Sequence, residues 1–190
     1  MAKLSAKKIR ERQLKSQISQ FTPKTFTAKM LYTLNEDNFL SFLVGQSICL
    51  VLKCLNETKY YDDMPFENYV KETCNLVNSA IPNLGDEEDD IPSSLIAFYT
   101  LAILVYGDLI KGITFPIIPM VKAKGYILDV KTSQEGIEIT ENGRSFLSKA
   151  NAGNCLFTGK ISNQDDLFDG IYKNLAIDYM QKVAEKFQDQ

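Results

Sequence analysis

Two stretches of this chain are apolar on almost every side, and they dictate a layered helical core. Phe39–Leu55 is broken only by Ser41, Gln46, Ser47 and Lys53, and Leu95–Tyr106 is an apolar run of 12 residues. A helix that is hydrophobic all round has to be buried rather than half-exposed. The spacing therefore predicts two central helices, one over 36–56 capped by Asn35, the other from Ser93 or Ser94 to Ile110 and stopped by Gly112. Neither is expected to cross a bilayer: the second is well short of the ~20 residues required, and the first is interrupted by polar side chains.

Around this pair the helical period recurs. Phe66, Tyr69, Val70, Thr73 and Val77 mark the inner face of a helix over 65–81, ended by Pro82. Phe168, Ile171, Tyr172, Leu175, Tyr179, Val183 and Phe187 mark a last amphipathic helix over about 165–187. Thr140 caps a helix over 141–150, and Pro119 opens a short one ending at Lys124, with Gly125 as its cap. Tyr126–Lys131 and Gly136–Thr140 alternate as strands, joined by the polar Thr132-Ser133-Gln134-Glu135 as a hairpin. Phe21–Met30, with Pro23, reads as an extended linker. The fold class expected is mainly α: a compact helical domain over 31–190 with a small β-hairpin, preceded by a basic N-terminal arm over 1–30.

That arm is the strongest functional signal. Residues 1–30 hold Lys3, Lys7, Lys8, Arg10, Arg12, Lys15, Lys24 and Lys29 against the single acid Glu11, a net charge of +7, while the other 160 residues carry −10. A basic arm on an acidic body is the pattern of a segment that meets nucleic acid or an acidic protein face. Phe21 and Phe26, interleaved with Lys24 and Lys29, either stack on single-stranded bases or pin the arm to an apolar groove. The acidic run Asp86–Asp90 reads as a solvated loop.

Composition excludes much catalysis. The chain has no histidine, which removes Ser-His-Asp and Cys-His nucleophilic sites and every His-containing metal site. Cys49, Cys54, Cys74 and Cys155 form no CxxC pair and read as reduced, mostly buried thiols of a cytoplasmic protein. The stretch from Asn163 to Gly170 lacks the closing Glu of a calcium loop, since Asn174 stands there. No G-x-x-x-x-G-K-[ST] or G-x-G-x-x-G phosphate loop is present. No cofactor, no metal and no enzymatic activity are expected. The first 20 residues lack the apolar stretch of a secretory leader.

One segment carries a family resemblance. Residues 118–150 include Lys124-Gly125-Tyr126-Ile127 and Ile139-Thr140-Glu141-Asn142-Gly143-Arg144 in the order short helix, hairpin, T-x-x-G, helix. This resembles the C-terminal half of a winged-helix domain, with the winged segment over 93–150. The resemblance implies DNA reading by helix 117–124, with Lys122 and Lys124 on phosphates and Lys131 in the wing. Ile117, Ile118, Met120 and Val121 on that helix suit burial better than base contacts.

Two functions are expected from these features. The first is a non-enzymatic subunit of a larger assembly, of the viral-particle or nucleoprotein type, cytoplasmic or in a virion. Its basic arm would contact other protein subunits, copies of this chain included, or nucleic acid, and no membrane. The second is a winged-helix DNA-binding transcriptional regulator.

Overall fold

In the computed structural model, the described residues are 6–57, 64–80, 91–122, 125–151 and 170–189. The protein is mainly helical with a small β-hairpin. Among the described residues are seven helices: α1 (Ala6–Ile18), α2 (Pro23–Glu36), α3 (Asn38–Glu57), α4 (Phe66–Ala80), α5 (Ser93–Tyr106), α6 (Glu141–Ala150) and α7 (Ile171–Lys186). Six short strands fall between α5 and α6: β1 (Ile110–Lys111), β2 (Ile113–Thr114), β3 (Met120–Lys122), β4 (Gly125–Ile127), β5 (Lys131–Thr132) and β6 (Glu138–Ile139).

Helix α3 is the hub, packed against α2, α4, α5, α6 and α7. Every residue from Leu40 to Cys49 is buried, followed by Val51 and Leu52. By length and apolarity α3 could cross a bilayer, and 67% of its most apolar window is buried inside the protein. Full burial of each Leu, Ile, Val or Phe contributes ~1.5–3 kcal/mol. Helix α5 is the second buried element, with Ile96, Leu101, Ile103 and Leu104 all at 0% exposure. The two apolar stretches thus form the core, as their composition requires.

Helices α3 and α7 pass close together within this core. A Cβ on Gly45 would stand 2.1 Å from the Tyr172 carbonyl oxygen, so only glycine lets the two backbones meet there. The amphipathic period of α7 is realised: Tyr172, Leu175, Tyr179, Val183 and Phe187 are buried, and Ile171 is partly so, while Phe168 lies outside the described residues. The α4 period is realised too, with Phe66, Val70, Thr73 and Val77 buried, together with Cys74.

Several local expectations are corrected. Phe21–Met30 is not an extended linker, because α2 begins at Pro23. Thr22 accepts from Thr25 N (3.2 Å) and its own N–H donates to Thr25 Oγ1 (2.9 Å), a reciprocal cap with proline at the first helical position. Thr27, Met30 and Leu34 of α2 are buried. Asp37, not Asn35, caps α3: its Oδ1 accepts from Leu40 N at 2.8 Å, while Asn35 turns back to the Leu31 carbonyl. Helix α5 ends at Gly107 rather than at 110, and Pro92 occupies its N-cap position, with no side-chain cap from Ser93 or Ser94.

The segment after α5 differs most. Residues 120–122, expected in a helix, are strand β3, paired antiparallel with β4 in the register Met120↔Ile127 and Lys122↔Gly125. The two strands expected to pair with each other do not: Tyr126 and Ile127 pair with β3, whereas Lys131 and Thr132 pair with the stretch leaving α5 (Ile113↔Thr132, Thr114↔Lys131), as does the second strand (Ile110↔Ile139, Lys111↔Glu138). Residues 133–136 form a turn closed by Gly136 N on the Ser133 carbonyl (3.1 Å), and Ser133 N donates to the Gly112 carbonyl (2.8 Å). Long-range pairing to residues 110–114 wins because it buries Ile110, Ile113 and Ile139 against the core.

Gly45→Ala is a sign test of this packing. In open helix, alanine would stabilise by about 1 kcal/mol; against the Tyr172 carbonyl it should destabilise by about 2 kcal/mol or more. Urea unfolding followed by circular dichroism distinguishes the two.

Candidate functional site

The basic arm folds as helix α1, and its charge is arranged on it. Lys8, Arg12 and Lys15 are exposed. At 100° per residue they fall within an arc of about 60°, along about 10 Å of helix axis. Lys7 and Arg10 lie on the same helix with side chains outside the described residues, and Lys3 is outside them entirely. Lys24 and Lys29 are exposed on α2. Lys29 Nζ sits 5.3 Å from the centre of the Phe21 ring, a cation–π contact at the elbow between α1 and α2.

The elbow is held by backbone and by aromatics. Ser19 N donates to the Lys15 carbonyl (2.9 Å) and Phe21 N to the Ile18 carbonyl (3.0 Å), and Thr22 then opens α2. Phe21 meets Phe26 edge-on at 5.6 Å, Phe26 meets Phe98 at 5.8 Å, Phe98 meets Phe115 at 6.5 Å, and Phe115 meets Tyr106 at 5.4 Å. Tyr106 in turn meets Phe187 at 5.1 Å. This relay runs from the arm through α5 to the end of α7, and each such pair is worth ~0.5–1.5 kcal/mol beyond its burial. Phe26 packs against the core, and Phe21 packs on Phe26.

Helix α1 packs against strand β3, which carries Lys122. The Lys122 side chain and all of Lys124 lie outside the described residues. Nothing in the sequence signals this juxtaposition, since the two segments are about 100 residues apart. Lys131 is exposed on β5, and the neighbouring Glu138 is engaged by Lys111 at 2.7 Å. Their mutual hydrogen bond holds Lys111 above its usual range and Glu138 below.

The Ile139–Arg144 phrase has a structural task. Thr140 N donates to the Leu109 carbonyl (3.1 Å), and its hydroxyl donates to the Asp108 carbonyl and accepts from Gly143 N. A Cβ on Gly143 would lie 2.3 Å from the Leu109 carbonyl oxygen. The T-x-x-G spacing thus staples α6 onto the end of α5. Lys186 closes the same corner, 2.5 Å from Asp108.

Thiol chemistry is muted in the core. Burial pushes Cys74 up to about 11, and the Ser47 and Thr100 hydroxyls only partly offset it. At neutral pH this thiol is protonated and a poor nucleophile. The described Asp, Glu and Cys residues form no group able to hold a metal ion. Cys155, Asp86–Asp90 and Asn163–Asp169 lie outside the described residues. No protein-family model matches this chain, and no curated protein or solved structure matches it.

Iodoacetamide at pH 8 should label the part-exposed Cys54 of the native protein well before Cys49 or Cys74. Peptide mapping by mass spectrometry reads the order. Phe26→Ala should cost about 3 kcal/mol in urea unfolding through loss of the relay's second ring.

Proposed function

We propose that this protein is a non-enzymatic interaction subunit of a larger assembly, of the viral-particle or nucleoprotein type, docking on a polyanionic partner through the basic face of α1. The observation that supports this reading is the exposed row Lys8, Arg12 and Lys15 on a helix whose root is fixed to the core. Charge segregation points the same way: +7 in residues 1–30 against −10 in the rest keeps the body itself from competing for an anionic partner. The lack of histidine removes the commonest general base, and burial keeps the Cys74 thiol protonated, which supports recognition over catalysis.

Sequence-specific DNA reading is less well supported. Residues 120–122 of the segment expected to enter the major groove as a helix are strand β3, and strands 131–132 and 138–139 pair with 110–114.

Sedimentation velocity with heparin as a generic polyanion tests the reading. At 50 mM salt the full chain should sediment faster with heparin than without, and the shift should vanish by about 0.5 M salt, where screening is short-ranged. The Lys8→Gln/Arg12→Gln/Lys15→Gln variant should lose most of the shift. An unchanged shift in that variant contradicts docking through α1.

A further inference from the structure

We infer that Asn142 is a latent site of irreversible modification: its amide turns into aspartate or isoaspartate by attack of the following main-chain nitrogen, and the Thr140 cap holds it unreactive. Asn142-Gly143 is the one Asn-Gly pair in the sequence. Packing demands its glycine, since a Cβ there would lie 2.3 Å from the Leu109 carbonyl oxygen and 2.6 Å from Ile139 Cγ2. A residue without a side chain leaves its own nitrogen unshielded and its backbone free to turn. Asn142 is exposed in the first turn of α6, so solvent reaches its amide. The close approach that staples α6 to α5 thus puts a labile dipeptide at the staple.

The reaction requires Gly143 N to lose its proton to solvent base and attack Asn142 Cγ. The carbon–nitrogen bond of the side-chain amide breaks, ammonia leaves, and a cyclic imide remains. Water then opens the imide at either carbonyl, giving aspartate or isoaspartate with no change of oxidation state. Two features oppose the first step. Gly143 N donates to Thr140 Oγ1 at 3.1 Å, which keeps its hydrogen from solvent base. Both residues lie in α6, and helical ψ, about −42°, turns the Gly143 nitrogen away from the eclipsed arrangement with Cβ that ring closure needs. The Tyr179 hydroxyl donates to the Asn142 carbonyl (3.4 Å) and Arg144 N to the Thr140 carbonyl (3.0 Å), fixing that turn. Conversion therefore waits on local opening of α6, and its rate follows the open population. Aspartate suits a helix N-terminus, whereas isoaspartate adds a carbon to the main-chain path and opposes closure of the cap.

Incubation of the full chain at pH 8, followed by tryptic mass spectrometry, tests this. The peptide Thr132–Arg144 has Asn142 as its sole asparagine, and fragment ions separate conversion there from conversion at Gln134. The native chain should convert at least about ten-fold more slowly than the chain unfolded in guanidinium chloride. Thr140→Ala should speed native conversion about five-fold, the usual worth of such a cap expressed as an open population. Thr140→Ser keeps the hydroxyl and should stay near the parent rate. Circular dichroism verifies both folds. If Thr140→Ala does not fold, the parent chain in guanidinium below its unfolding transition takes its place, and conversion should rise as the α6 amides lose exchange protection. Native conversion as fast as in the unfolded chain overturns the inference. So does a folded Thr140→Ala that converts no faster than the parent, or conversion that ignores the opening of α6.

Discussion

Everything in this fold is arranged around one close contact, the passage of α7 across α3 at Gly45. Helix α3 is buried over its whole middle, so its neighbours must enclose it. A side chain at position 45 would collide with the Tyr172 carbonyl, and glycine lets the two helix backbones approach there. Helix α7 then covers α3 with Tyr172, Leu175 and Tyr179. It is also the platform for α2 and α6: Tyr179 packs on Phe146 and donates to the Asn142 carbonyl of α6. A shift of α7 would therefore move most of the protein at once, because packed interiors transmit displacement rather than absorb it.

The charge separation depends on this core. Helix α2 seats Met30 and Leu34 inside while its own first turn carries the elbow. Phe21 and Phe26 extend the apolar surface outward to the foot of α1, linking it through Phe98 to the end of α7. A 13-residue helix with so thin an apolar stripe would be marginal in isolation. Rooting it by aromatics leaves Lys8 and Arg12 exposed, where they can meet an anion.

The sequence carried the core well, for a physical reason: burial on all sides leaves a composition signal that needs no knowledge of partners. The periods of α4 and α7 were legible on the same ground, and Thr140 was legible as a cap because capping is local. What failed was non-local or required a rarer local signal. The reciprocal Thr22–Thr25 cap uses threonine where glutamate is usual, and with Pro23 it looked like a linker. Pairing of 131–139 with 110–114 rather than with itself depends on where Ile110 and Ile113 are buried, which no window of sequence contains. The α1–β3 contact joins segments about 100 residues apart, so the arm and Lys122 read as two unrelated candidates. The Ile139–Arg144 phrase, one of the two that carry the winged-helix resemblance, staples α6 to Leu109.

Amide hydrogen exchange, with and without heparin at low salt, tests the central claim most directly. The account predicts slowed exchange in residues 6–18 and in β3 beside them, with 110–114 and 131–139 unchanged. Protection confined to 110–139, with α1 exchanging as fast as in the free protein, would contradict it.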